Sequence, residues 1–364
     1  LSFFFFFSKL RPAILNTSML NWLLGSTTAG ADFYFDLGTA NTLIVGRGKG
    51  LVLNEPSEVM VSDIDPKKRK ILGLGLEGRE ILKKNPGHIV IIKPIRDGVI
   101  ADFDATRVML KSFLTTAIKK ISLSRPKVVV SLPYGITEVE KKAVIEACRS
   151  AGASKTYLID EPMAAALGAG LPVKGAKGQM IIDIGGGSTE IAVIALSDIV
   201  YCEPLRLGGH KFDEVIVRYL KDTKKFVVSE QQAEFLKLKL STALPKKNII
   251  SETIQGRDLD TGFQRTETIT SEEIGMALAD SIQLIIHGIL NALEHTPPEL
   301  VSDVIDSGIT LAGGGALIKE LCAKIESEVR IPVRLAENPL TAIALGGEMV
   351  LSDPELLEKI QIEV

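Results

Sequence analysis

The chain has 364 residues, 46% of them hydrophobic and 24% charged, with a formal net charge of −3. That length suggests about two domains with cores of their own, and the near-neutral balance, with no Lys/Arg stripe interleaved with aromatics, excludes nucleic acid as the main ligand. Cys148, Cys202 and Cys322 read as buried thiols of a reducing compartment, His88, His210, His287 and His295 show no metal spacing, and no run approaches the about 20 apolar residues of a membrane span.

Residues 1–31 stand apart. LSFFFFFSKLRPAILNTS lacks an initiator methionine, so Leu1 to Ser18 reads as upstream sequence that folds with nothing. A signal peptide is the rival reading, with Lys9 and Arg11 before apolar residues and Ala29-Gly30-Ala31 resembling a cleavage site; Asn16, Thr17, Ser18 and Asn21 break up the apolar core it needs. From Met19 the chain reads MLNWLLG, with Leu20, Leu23 and Leu24 at helical spacing and Trp22 suited to a membrane interface. Residues 19–24 are then either a frayed apolar terminus or a short membrane anchor, too short to hold firmly unless many copies are linked.

Phe33 to Leu53 reads as strands joined by tight glycine turns. DIDPKKRK, from Asp63 to Lys70, suits an exposed hairpin in a small insertion. GLGLEG, Gly73 to Gly78, matches the dinucleotide fingerprint by pattern. We reject it: no convincing strand precedes it, and Pro86 and Pro94 interrupt the βαβ unit it requires. KVVVS is a buried strand, and Thr137 with Glu140 forms a capping box for a helix whose apolar face is Val139, Ala143, Val144, Ala147 and Cys148, ending near Gly152. The strand TYLID runs into EPMAAALGAG, a small-residue helix with Pro162 in its first turn. Past Gln179 come helices near Lys211–Leu220 and Glu230–Leu240, a β-rich segment with the turn DLDTG, and a long helix over about Ser271–Glu294. GITLAGGGALI then gives a strand, three glycines and a helix. The pattern is α/β throughout.

One stretch is written twice. FDLGTANTLIVG, from Phe35, aligns without gaps onto IDIGGGSTEIAV: Asp36 falls on Asp183, Gly38 on Gly185, Asn41 on Ser188 and Thr42 on Thr189. A glycine turn lets backbone N–H groups approach a phosphate closely, and Thr39, Asn41, Ser188 and Thr189 add side-chain donors. Asp36 and Asp183, each inside an apolar run, would hold a hydrated Mg²⁺ between the two halves, since a divalent cation offsets the cost of burying a carboxylate. The plain alternative is two hairpins with Asx-type hydrogen bonds; the gap-free repeat weighs against it. Glu161, at a strand end where open α/β sheets bind ligands, would orient a water for attack on a γ-phosphate. Its alternative is a carboxylate favoured by the helix dipole, and Asp160 is the lesser candidate. Ala312-Gly313-Gly314-Gly315 offers a third close-approach loop, weak on its own.

In this order the motifs resemble the actin-like ATPase superfamily, and DLGTANTLI, LNEPS, IRDGVIADF, IDEPMAAALG, IDIGGGSTEIAV and TPPELVSDVIDSGITLAGGGALI resemble its MreB family of bacterial actins from about Asp32 to the last helix. The resemblance implies two related α/β domains, each with a smaller inserted subdomain, around a cleft for ATP and Mg²⁺. They would span 32–175 (insertion about 60–92) and 176–338 (insertion about 210–272), with 339–364 returning as helices to the first. It implies that Thr39, Ala40, Asn41, Gly185, Gly186 and Gly187 hold phosphates, that Glu234 and Lys237 lie near the ribose or base, and that Ala312, Gly313, Gly314 and Gly315 line the α-phosphate side. Glu161 takes the place of a water-polarising acid, Ser188 that of a threonine assisting hydrolysis, and Asp36 and Asp183 hold Mg²⁺ through water. His210 replaces an acid, and Ala312 a hydroxyl residue, of the family pattern. The family's apolar membrane loop matches KKISLSRP here, with only Ile121 and Leu123 apolar. The implied protein is a slow ATPase forming homopolymer filaments, cytoplasmic and peripheral at the inner membrane, that directs cell shape with membrane-bound morphogenesis and cell-wall synthesis proteins. A metabolic sugar-type kinase of the same superfamily is the alternative, without a visible polar cluster for an acceptor hydroxyl. A chaperone is a third, without a substrate-binding segment.

Overall fold

A computed structural model describes residues 32–62, 70–84, 87–96, 98–121, 125–244 and 249–363. The anchor reading of residues 19–24, the tip of the DIDPKKRK hairpin and the apolar side chains of KKISLSRP lie outside the described residues. The first half runs β1 (Phe33–Leu37), β2 (Asn41–Gly46), β3 (Gly50–Pro56), β4 (Val59–Ser62), β5 (Ile71–Leu74), α1 (Gly75–Lys84), β6 (Ile89–Ile92), β7 (Ile95–Arg96), β8 (Val99–Ile100), α2 (Phe103–Ile121), β9 (Lys127–Leu132), α3 (Glu138–Ser150), β10 (Lys155–Asp160) and α4 (Glu161–Gly168). The second runs β11 (Gln179–Ile184), β12 (Thr189–Ala195), β13 (Asp198–Leu205), α5 (Gly209–Lys224), β14 (Phe226–Val227), α6 (Glu230–Leu240), β15 (Ser251–Asp258), β16 (Gln264–Thr270), α7 (Ser271–His295), α8 (Pro298–Ser307), β17 (Ile309–Ala312), α9 (Leu321–Val329) and β18 (Val333–Leu335). Helices α10 (Ala342–Ser352) and α11 (Pro354–Ile360) follow.

Two five-stranded sheets share one plan, β3-β2-β1-β9-β10 and β13-β12-β11-β17-β18. In each, a three-stranded antiparallel meander continues into two parallel strands. The repeated stretches are the first hairpin of each sheet.

Strand alternation sorts the side chains into three apolar layers. Phe33, Phe35 and Leu37 point into an outer core with Met109, Phe113 and Val144. Met180, Ile182 and Ile184 point into a second outer core against Ile282, Ile285 and Ile289 of α7. The intervening residues, Tyr34 of β1 and Ile181 of β11, face a middle layer shared by both halves, filled by α4 and α10. Parity therefore puts Asp36, Asp183 and Glu190 on the shared side. The two helices cross with no room for a side chain: a Cβ on Gly168 would lie 1.8 Å from Ala342 O, and one on Gly346 1.9 Å from Ala164 O.

Several expectations need correction. Val139 is 69% exposed, not part of the apolar face of α3, although the capping box and Gly152 stand as read. Val139 is in the first turn and points off the sheet, and Ile145 packs inward instead. A strand, β5, does precede GLGLEG, but it pairs antiparallel with β4, so the segment is no dinucleotide unit. Its glycines serve packing, since a Cβ on Gly78 would lie 2.2 Å from the Met60 sulfur. The triple glycine leads not straight into an α-helix but into a 3₁₀ turn, Gly314–Leu317. Finally, α7 is long and apolar enough by composition to cross a membrane, with 25 residues that include an 18-residue stretch of mean hydropathy 1.4. Its Ile/Leu face is spent on the second outer core.

Candidate nucleotide site

Each repeated turn is held by neighbours that engage its carbonyls. In the first, Ser57 Oγ donates to Gly38 O at 2.7 Å and Ser57 N–H to Ala40 O at 3.0 Å, while the Thr42 and Ser57 hydroxyls are 2.9 Å apart. Ser57 went unmarked in the sequence, although it closes the LNEPS stretch. In the second turn, Gly185 N–H bonds Ser188 O at 2.9 Å, and the first amides of α5 are consumed locally: Gly209 N–H bonds Gly185 O at 2.9 Å and His210 N–H bonds Gly186 O at 2.8 Å. Thr189 Oγ1 donates to Leu207 O at 2.6 Å. The turns face each other, for a Cβ on Gly186 would lie 2.9 Å from Ala40 Cβ and 3.3 Å from Ala40 N. Ala40 is thus brought against Gly186, with Thr39 and Asn41 flanking it in one turn and Gly185 and Gly187 in the other. Ser188 stands beside Gly98 of the first half, whose Cβ would be 3.1 Å from its Oγ.

Four carboxylates lie beneath the turns. Asp36, Glu161, Asp183 and Glu190 are each at most 6% exposed, and each keeps one oxygen without a hydrogen-bond partner. Asp36, next to last in β1, lies opposite Leu43, whereas Asp183 is opposite Glu190 and beside Ala312. Burial drives all four upward. Asp36, which also feels Asp183, is pushed up to about 7, and Asp183 to about 6. Glu190 rises to about 8 although it accepts the Tyr134 N–H, and Glu161 is held well above the usual range by burial, then by Glu190, Asp36 and Asp183. Asp160, the N-cap of α4 without a side-chain cap bond, is pushed up by burial to about 6.

Four neighbouring acids with unpaired oxygens are the arrangement a divalent cation would neutralise. Among the described residues no three His, Cys, Asp or Glu side chains converge closely enough to grip a bare ion. The fit is therefore to a cation that keeps most of its own waters and takes one or two carboxylates, as Mg²⁺ does.

The other expected residues are placed unequally. Gly313 has φ +81°, and a Cβ there would lie 2.3 Å from Ile184 O and 2.7 Å from Asp183 Oδ1; one on Gly315 would lie 2.2 Å from Ile184 Cγ2. Both serve packing on β11. Gly314 meets only Leu340, at 3.4 Å, so it is the open member of the loop, and Ala312 is buried in β17. Lys237 is tied back to α5, with Nζ 2.8 Å from Asp213 and donating at 2.8 Å to Gly209 O. Glu234 is exposed on the same helix. Burial lowers the pKa of His210, helped by Lys93 and Lys237.

A duplicated meander sheet, facing glycine turns and acids at the strand ends together define the actin-like fold. The description "MreB/Mbl protein" fits a family model matching residues 30–359. The cell shape-determining protein Mbl of Bacillus subtilis (strain 168) is 42% identical over 328 residues, covering 90% of this chain and 98% of its own. Among solved structures, MreB5 of Spiroplasma citri bound to ADP superposes with a TM-score of 0.82 at 32% identity, covering 88% of this chain and 96% of its own. A filament structure, the MamK double helical filament, shares the fold with a TM-score of 0.73 at 20% identity, covering 88% of this chain and 99% of its own. The chain belongs to the MreB/Mbl family.

Proposed function

We propose that this protein binds ATP with Mg²⁺ between its two glycine turns, hydrolyses it slowly, and assembles with copies of itself into filaments that direct cell shape and cell-wall synthesis. The observation that carries this is the facing of two like turns over buried acids, in a chain of a family whose curated relative is a cell shape-determining protein. MreB5 was solved with ADP, and MamK as a double helical filament. That company favours a cytoskeletal role over a sugar kinase.

Gly185, Gly186, Gly187, Thr39, Ala40 and Asn41 would hold phosphates from opposite sides, with Gly314 the nearest approach on the third loop. Asp36 and Asp183 would hold Mg²⁺ through water, and the ion would supply positive charge to the phosphates. Glu161 would accept a hydrogen bond from the attacking water and take its proton. Ser188 would hold the same water from the other half. Glu234 and Lys237 would lie on the nucleoside side, Lys237 by fixing the first turn of α5. The site of action is proposed as the cytoplasmic face of the inner membrane, with residues 19–24 as a weak anchor made effective by polymerisation, beside membrane-bound morphogenesis and cell-wall synthesis proteins.

Sedimentation tests the reading. ATP with Mg²⁺ should send the protein into the pellet, more so with liposomes. Deleting Met19 to Leu24 should lower the liposome share while ATP turnover in solution stays the same. A monomer that never pellets and phosphorylates a sugar would overturn it.

A further inference from the structure

Glu190 is the one acid of the cluster with no role in this reading, and its place in the fold is specific. It sits in β12 among residues that are all buried, and its side chain crosses the shared layer. There Glu190 Oε1 accepts the N–H of Tyr134 at 2.6 Å, while Oε2 has no partner. Tyr134 belongs to the first half, in the loop between β9 and α3. That loop turns on Pro133 and on Gly135, at φ +78°. The next contacts lead back to the turns. A Cβ on Gly98 would lie 3.6 Å from Pro133 Cβ and 3.1 Å from Ser188 Oγ, so loop, Gly98 and Ser188 form one packed group.

We infer that Glu190 is a positioning residue: by accepting the Tyr134 amide across the two halves it fixes the β9–α3 loop, and through Pro133 and Gly98 sets the distance between Ser188 of one half and Glu161 of the other. The inference rests on the nucleotide reading for what is positioned, but not for the tether itself. Two catalytic groups on different halves need a tie that fixes their separation, because misplacement by about 1 Å costs on the order of 100-fold in rate. A hydrogen bond to a buried carboxyl group is strong enough to act as such a tie.

The test compares E190A, which removes the acceptor, Y134P, which removes the donor, their double variant, and E190Q, which keeps an acceptor oxygen in place. Hydrogen exchange at the Tyr134 amide should be slow in wild type and E190Q and fast in E190A. Single-turnover hydrolysis should fall roughly tenfold in E190A and in Y134P with the ATP Kd nearly unchanged, as loss of one such bond implies. The double variant should be no slower than either single one, and E190Q should recover most of the rate. A freely exchanging Tyr134 amide in wild type, wild-type turnover in E190A, or an E190Q as slow as E190A would overturn the tether. Failure of the wild-type chain to bind ATP would instead overturn the nucleotide reading, with exchange still reporting the tether. Should E190A not fold, Y134P and E190Q decide the matter.

Discussion

Asp36 and Asp183 are pushed up to about 7 and about 6 from the ordinary 3.8 by burial and, for Asp36, by the nearby Asp183. Folding therefore favours their protonated forms, and the stability they lend is lost as pH rises through 6 to 7. In nucleotide- and magnesium-free buffer the melting temperature should drop between pH 5.5 and pH 8, and Mg²⁺ with ATP should flatten that drop; a melting temperature that rises over this interval would contradict the placement. Glu161→Gln should keep ATP affinity and slow phosphate release roughly 100- to 10,000-fold, the usual worth of a general base, read by single turnover. The Asp36–Asp183 pair was legible because the same turn occurs twice. The repeat also contained Glu190, unread: it falls where the first copy has Leu43, an acid replacing an apolar residue at an inward position. Ser57 carried no such signal, since a serine after a strand is common and its bonds to the turn depend on register.

At the level of elements, the α4–α10 crossing concentrates the strain of any change. Gly346→Val should destabilise by about 1–3 kcal/mol or more, because its added atoms overlap the Ala164 carbonyl and overpacking costs at least that. Urea denaturation would show it, and a surface glycine such as Gly87, with open space around it, should tolerate the same change. Local signals located most elements well. The long helix begins at the Thr270–Glu273 capping box, and Asp258 caps the DLDTG turn by accepting the Asp260 and Thr261 amides. What local signals missed was set by partners distant in sequence. Val139 looks inward by helical period alone, and the β5 strand before GLGLEG is defined by β4, not by its own residues. Likewise no local signal told that Gly313 and Gly315 are also required by packing, which shows only once the side chain and carbonyl of Ile184 are placed against them.

For the molecule as a whole, the layer between the sheets has a consequence in time. Tyr34, on the first strand, packs against Gly347 of α10, where a Cβ would lie 2.1 Å from its ring. A ribosome adding 5–20 residues per second needs roughly 15–60 s to travel from one to the other. Throughout that interval the inner face of the first sheet is covered by α4 but lacks α10, and the apolar surface left open invites association with other nascent chains. Truncation before Ala342 should make this delay permanent: the shortened chain should bind a hydrophobic dye and aggregate, and a peptide of residues 339–364 supplied separately should restore solubility. The order of synthesis thus separates by about 300 residues two pieces that the fold packs together, Tyr34 and Gly347.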